Sequence, residues 1–440
     1  MQVLRRSALA VAGLVSAGVA LAACGLGGGG GSTASEAAGP VEGEVTGSIT
    51  FATLQLQPTF TEYIEGVIAD FEEQYPGTQV EWVDVPFEGA QEKFVTDAAA
   101  GTLADVVNLN PNFAQPLEAD GAFLNVDEVA PDVEELYVPG SYEAFAVPGQ
   151  EGHFGFPWYL TSEVTMYNSS LFEQAGLDPE SAPTTFDELY EEARTLTAAG
   201  AGSFYGIHPA LENRVATDLA KLDVPLLNDE QTEWTFNTPD AVQYVETLTA
   251  LWEEGVMPPD SLTQTHAQEI EAYQAEQIAL FPSGPNFLTI VRENAPDVAD
   301  NTAVAPQITG ERGVANMAVM GLLVPRTSEN QATALEFSRF MTNAENQLAF
   351  SQIVTVLPSV TEALEDPYFT DTSDGTVDSL ARSISAEQIA TAQNLVPVQF
   401  DDRVKNVLVG RIQLAMQGEI TAQEALDEAV DEANKITFGD

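Results

Sequence analysis

Residues 48–109 read SITFATLQLQPTFTEYIEGVIADFEEQYPGTQVEWVDVPFEGAQEKFVTDAAAGTLADVVNL, and this stretch decides the fold. Ser48 to Thr53 is a β-branched and aromatic run of the kind that forms a strand. Phe60, Tyr63, Ile64, Val67, Ile68 and Phe71 recur at helical spacing. Pro76-Gly77 ends that helix. Gln79 to Val85 reads as a second strand, Gly89 to Ala100 as a second helix, and Asp105 to Leu109 as a buried strand. The alternation β-α-β-α-β implies a parallel sheet covered by helices.

Working outward, a second unit of the same kind follows. Glu163 to Tyr167 reads as a strand, and Thr185-Phe186-Asp187-Glu188 is a capping box that opens a helix. Tyr244, Leu248, Leu251 and Trp252 mark another helix, ended by Gly255 and Pro258-Pro259. Ile278 to Phe281 is a short strand entering Pro282-Ser283-Gly284-Pro285. Val319 to Val324 is a further strand and Ala332 to Met341 a helix. Val404, Leu408, Ile412 and Ala415 share one helical face, and Thr421 with Glu424 caps the last helix. No internal repeat of solenoid length is present.

In the other direction lies a leader. Arg5 and Arg6 precede a short uncharged apolar run, Ala8 to Leu21, and Leu21-Ala22-Ala23 lead directly to Cys24. That order is a secretory signal, predicted over residues 1–23. The run is too short to span a bilayer. Cys24 is the sole cysteine of the chain, so no disulfide can form within it. It stands where acylation would supply a lipid anchor. Residues 24–47, with unbroken Gly from 27 to 31, read as a flexible tether.

Charge excludes whole classes of partner. The chain has 15 Lys and Arg against 68 Asp and Glu, a formal charge of −53 that becomes −55 once Arg5 and Arg6 leave with the signal. Nucleic acid and anionic lipid are repelled. The acids are dispersed, as on a solvated surface. Catalytic signatures are lacking: no Gly-x-Ser-x-Gly, no His-Glu-x-x-His and no phosphate-binding loop. His153, His208 and His266 have no metal-like spacing. Asp371, Asp374 and Asp378 around Gly375 miss the EF-hand pattern and read as a plain acidic loop. The expectation is a protein that is not an enzyme, with no catalytic residue, cofactor or metal.

Several segments, in order, resemble the extracellular solute-binding proteins of family one, the carbohydrate-importer group. They are Asp70-Phe71-Glu72-Glu73-Gln74-Tyr75-Pro76-Gly77-Thr78-Gln79-Val80, Ala104-Asp105-Val106-Val107 and Gly155-Phe156-Pro157-Trp158-Tyr159. Tyr167-Asn168, Leu171 to Leu177, Thr184 to Leu189, Pro282-Ser283-Gly284-Pro285 and Val324 to Asn330 complete the set. The resemblance implies an α/β, periplasmic-binding-protein-like fold. It has two lobes of discontinuous segments, a hinge, and a ligand cleft between the lobes. The expected lobes are 48–158 plus 312–355 and 159–311 plus 356–440. The implied function is the lipid-anchored, extracytoplasmic substrate-binding component of an ABC importer, on the outer face of the cytoplasmic membrane. It would be a monomer that captures a sugar or oligosaccharide and delivers it to permease subunits. A polyol, glycerophosphodiester or peptide is the alternative solute, and a secreted hydrolase a more distant reading.

Site residues are expected at strand ends, where open α/β sheets bind ligands. Sugars need planar polar groups for hydroxyls and aromatic faces for C–H surfaces. Gln55 follows the first strand, and Asn110, Asn112 and Phe113 follow the third. Trp158 and Tyr159 lie at the implied lobe crossover, with Trp158 the expected stacking platform. Glu212, Asn213 and Arg214 come after a strand expected at Gly206-Ile207. Ser283, Asn286 and Phe287 occupy the Ser-Gly-Pro turn, where Asn286 stands in place of the family's usual Trp.

Overall fold

The computed structural model describes residues 41–439 apart from 42, 87–88, 120 and 148–150. Cys24, the leader and most of the expected tether therefore lie outside the described residues. The chain builds β1 (Gly47–Leu54), β2 (Thr78–Val85), β3 (Val106–Leu109), β4 (Phe156–Ser162), β5 (Val164–Asn168), β6 (Leu280–Ser283), β7 (Thr302–Ala305), β8 (Met317–Leu323) and β9 (Leu357–Pro358). These form a six-stranded sheet ordered β2-β1-β3-β8-β4-β9 and a three-stranded sheet ordered β6-β5-β7. β1, β2 and β3 run parallel, as the opening stretch predicts, while β8 is antiparallel to β3 and β4.

The six-stranded sheet is covered on both faces, and its central strands are mostly apolar and buried. On one face Phe51, Phe71, Trp158 and Phe337 join one core cluster. On the other Leu54, Leu109, Leu160 and Leu323 join a second. The smaller sheet also divides two clusters. Val164 and Met166 of β5 point to one, and Tyr167 to the other. Helices Asp402–Met416 and Ala422–Thr437 close the larger of these, through Val404, Leu408, Ile412, Ala425 and Leu426.

Three details differ from expectation. Only an isolated bridge, Tyr205 to Ile278, occurs where a Gly206-Ile207 strand was expected. The residues expected only as the end of the third strand open an element of their own, a helix that starts at Pro111 and runs to Glu118; proline is well suited to a first helical position. Finally, β4 spans the expected boundary between residues 158 and 159. Tyr159 to Ser162 pair with Met320 to Met317, and Leu357-Pro358 add beyond them, so all belong to the larger sheet. A ladder is not divided in mid-strand, because each residue's backbone polar groups need a partner.

Candidate functional site

β4 and β5, one in each sheet, are joined through a single residue, Glu163. β4 runs in the same direction as β1 and β3, since both β3 and β4 are antiparallel to β8. The carboxyl ends of β1, β3 and β4 therefore share one edge. In the smaller sheet the start of β5 lies beside the ends of β6 and β7. These two edges flank the junction, and clefts of this kind are favoured ligand sites.

On the larger-sheet edge, Gln55 is exposed just past β1, and its N–H donates to the Val85 carbonyl at 2.9 Å. Asn110 is committed locally. Its Oδ1 accepts the Phe113 N–H at 2.8 Å and caps the helix, a use that competes with ligand contact. Asn112 is exposed in the first turn, while Phe113 is half-buried against the core. Trp158 departs from its expected role. It is 0% exposed, stacks on Phe350 at 5.5 Å and 16°, and meets Phe51 edge-on at 6.2 Å. Its strand lies inside the sheet, between β8 and β9, so helix Ala344–Ile353 covers the face that carries the indole. Tyr159 is half-buried and edge-on to the same Phe350 ring.

On the other edge a left-handed residue, Ala210, opens helix Leu211–Lys221 and so sets the direction of its first turn. Glu212 accepts the His266 N–H at 3.3 Å. Asn213 is exposed. Arg214 turns inward: one Nη donates to the His208 carbonyl at 3.0 Å and the other to Glu269. Glu269 is fully buried and also holds His266 Nδ1 at 2.7 Å. His266 Nε2 then meets Ser283 Oγ at 3.1 Å, with Phe287 edge-on to the imidazole at 5.6 Å. Asn286 is exposed beside them. Thus Glu212, Arg214, Ser283 and Phe287 are brought together by two residues that the sequence reading missed, His266 and Glu269. The available signal was the pairing of His266 with an acid three residues on, on one helical face.

Electrostatics behind this wall are balanced. Burial on its own would raise the Glu269 carboxyl, but Arg214, then His266, hold it below the usual range. Lys221 Nζ lies 3.5 Å from Glu163. Asp218 accepts the Tyr244 hydroxyl at 3.0 Å, and burial pushes its carboxyl up to about 6 against the pull of Lys221 and Arg214. A narrow cavity of about 40 Å³ runs among these side chains. Each cation here has a carboxylate partner, so the wall carries no unopposed positive charge. Among the described residues no group of three or more His, Cys, Asp or Glu side chains is arranged to hold a metal ion. Nor is any helix of those residues long and apolar enough to cross a membrane.

A family model described as bacterial extracellular solute-binding protein matches residues 57–348. The sn-glycerol-3-phosphate-binding periplasmic protein UgpB of Salmonella typhimurium is 23% identical over 328 residues, which cover 69% of this chain and 71% of that one. The arabinooligosaccharide-binding protein of Halalkalibacterium halodurans is 22% identical over 330 residues, covering 71% and 72%. Among solved structures, a periplasmic-binding protein from Synechococcus sp. MITs9220 superposes with a TM-score of 0.77 at 33% identity, over 89% of this chain and 99% of that one. The cyclic alpha-maltosyl-1,6-maltose binding protein from Arthrobacter globiformis gives a TM-score of 0.74 at 19% identity, over 91% and 100%.

Proposed function

Because this chain belongs to the bacterial extracellular solute-binding protein family, we propose that it captures a neutral sugar or oligosaccharide between its two lobes and passes it to the permease of an ABC importer. The observation that carries the sugar reading is the balanced charge of the wall built on Arg214, Glu269, His266 and Ser283. Hydroxyls suit such a wall, while a phosphate would need surplus cations. We assign the lobe junction to Glu163, and solute contacts to Gln55, Asn112 and Phe113 on one side and Asn213, Ser283, Asn286 and Phe287 on the other. The shared strand-end edges support that assignment. The lipobox-like order before Cys24 supports acylation and retention on the outer face of the cytoplasmic membrane as a monomer.

Calorimetry of the full chain in detergent tests the reading. The panel is D-glucose, L-arabinose, maltotriose, arabinotriose, sn-glycerol 3-phosphate and a tripeptide. Binding of a saccharide without its turnover is the expected result. Exclusive binding of sn-glycerol 3-phosphate or the peptide overturns the sugar assignment. Cleavage of a labelled oligosaccharide would instead make the protein a hydrolase.

A further inference from the structure

A second cavity, of about 160 Å³, lies at the junction, lined by strands of the larger sheet and by the turn that follows β6 of the smaller one. Leu160 and Thr161 come from β4, Pro285 from the turn after β6, and Leu357 from β9. Ser351 of helix Ala344–Ile353 and Ser385 of helix Val377–Ile389 also line it. Both serines are 2% exposed, and both hydroxyls lack a hydrogen-bond partner. That is unusual for a helical serine, which can return its hydroxyl to the carbonyl four residues back. Ser338 does so, bonding the Ala334 carbonyl at 2.9 Å. Buried polar groups are nearly always satisfied, so two orphans beside one cavity point to a partner that enters it.

We propose that this cavity encloses one neutral sugar ring of the solute, with Ser351 and Ser385 bonding its hydroxyls. A cavity of roughly 150 Å³ encloses a benzene-sized ring, so the space is of the order of a single ring and not of an oligosaccharide. The lining agrees too: Leu160, Pro285 and Leu357 suit the C–H faces of a ring, and the hydroxyls suit its rim. The charged groups of the lining are already engaged. The one cation in the lining, Arg382, donates to the carbonyls of Tyr368 at 2.7 Å and Asp371 at 3.1 Å, and its guanidinium lies 4.1 Å over the Tyr368 ring. Asp378, in the same lining, is ion-paired with Arg292. Because Thr161 lies in the larger sheet and Pro285 in the turn that leaves the smaller one, enclosure of the ring also depends on the hinge. The inference rests on the sugar reading above and names where one ring of that sugar sits.

The test uses Ser351→Ala, Ser385→Ala and the double variant of the full chain, titrated calorimetrically with the same saccharides and with sn-glycerol 3-phosphate. Thermal melts are run without ligand. Removing an orphaned hydroxyl should leave the ligand-free melting temperature unchanged or raised. Affinity for the best saccharide should fall at least tenfold in the double variant. A saccharide that binds wild type and double variant within twofold overturns the cavity assignment and leaves the sugar reading standing. A lowered melting temperature with unchanged affinity does the same, and makes the hydroxyls structural. If sn-glycerol 3-phosphate is the sole binder, or no saccharide binds, both the sugar reading and this assignment fall.

Discussion

At the scale of the residue, burial decides what each candidate can do. The rings of Trp158 and Phe350 stack at 5.5 Å in the core. Trp158→Ala should therefore cost stability, about 3–5 kcal/mol for a large aromatic removed from a packed core. Urea unfolding measures it; a loss below about 1 kcal/mol would show that the site collapses around the vacancy. Asp218 makes a pH prediction. Its folded pKa, about 6, lies above the value of about 3.9 in an unfolded chain. Its protonated form thus favours the fold. That contribution is complete below about pH 4 and is lost as pH rises to about 6. Asp218→Asn lacks this titration. Its stability relative to wild type should improve by about 2–3 kcal/mol between pH 4 and pH 7, at about 1.4 kcal/mol per pKa unit. Parallel stability curves for the two proteins would refute the assignment.

At the scale of the element, local signals and packing agree where both are strong. The Thr185 capping box is present in both halves: the Glu188 N–H donates to Thr185 Oγ1 at 3.3 Å, and the Thr185 N–H donates to Glu188 at 3.2 Å. Helix Phe186–Gly200 then buries Phe186, Leu189, Ala193 and Leu196 against the larger helical core. Thr185→Ala should destabilise by about 1 kcal/mol, the usual worth of a threonine N-cap. Guanidinium unfolding with an unchanged slope would report it; an unaltered midpoint would mean that packing alone starts this helix. By contrast β4 and the helix Pro111–Glu118 were not read as elements. Each holds a proline, Pro111 and Pro157, which weakens the local signal for a regular element. One sits at a first helical position, which proline favours. The other lies where the β4–β8 register shifts, between Pro157 and Tyr159, a place where proline is tolerated in a sheet.

At the scale of the whole molecule, charge is the dominant long-range term. Ion pairs such as Arg194–Glu254 and Arg411–Glu428 are exposed, and salt weakens pairs of this kind. Repulsion outweighs them, because 15 cations cannot neutralise 68 acids. The Debye length falls from about 30 Å at 0.01 M to about 3 Å at 1 M. The melting temperature should therefore rise with NaCl across that range. A flat or falling curve would mean that the exposed pairs contribute more than the repulsion removes.

The sequence by itself determined the parallel β-α-β opening, the helix faces, the caps and the family, because these rest on local periodicity and on motifs read in order. Asn112, Asn213, Ser283 and Phe287 were legible as candidates because strand ends and turns carry ligands in open sheets. Tertiary structure alone decided which of them meet. His266 and Glu269 carry only a weak local mark, their i,i+3 pairing on one helix, yet burial of a carboxylate demands charged partners; His266 supplies one from the same helix, and Arg214 arrives from a distant segment to supply the other. The same holds for Trp158. Its identity and its place in the chain suited a binding platform. Only the helix that lays Phe350 across β4 decided that the ring would be core, because whether an aromatic face meets solute or protein depends on what the rest of the chain packs upon it.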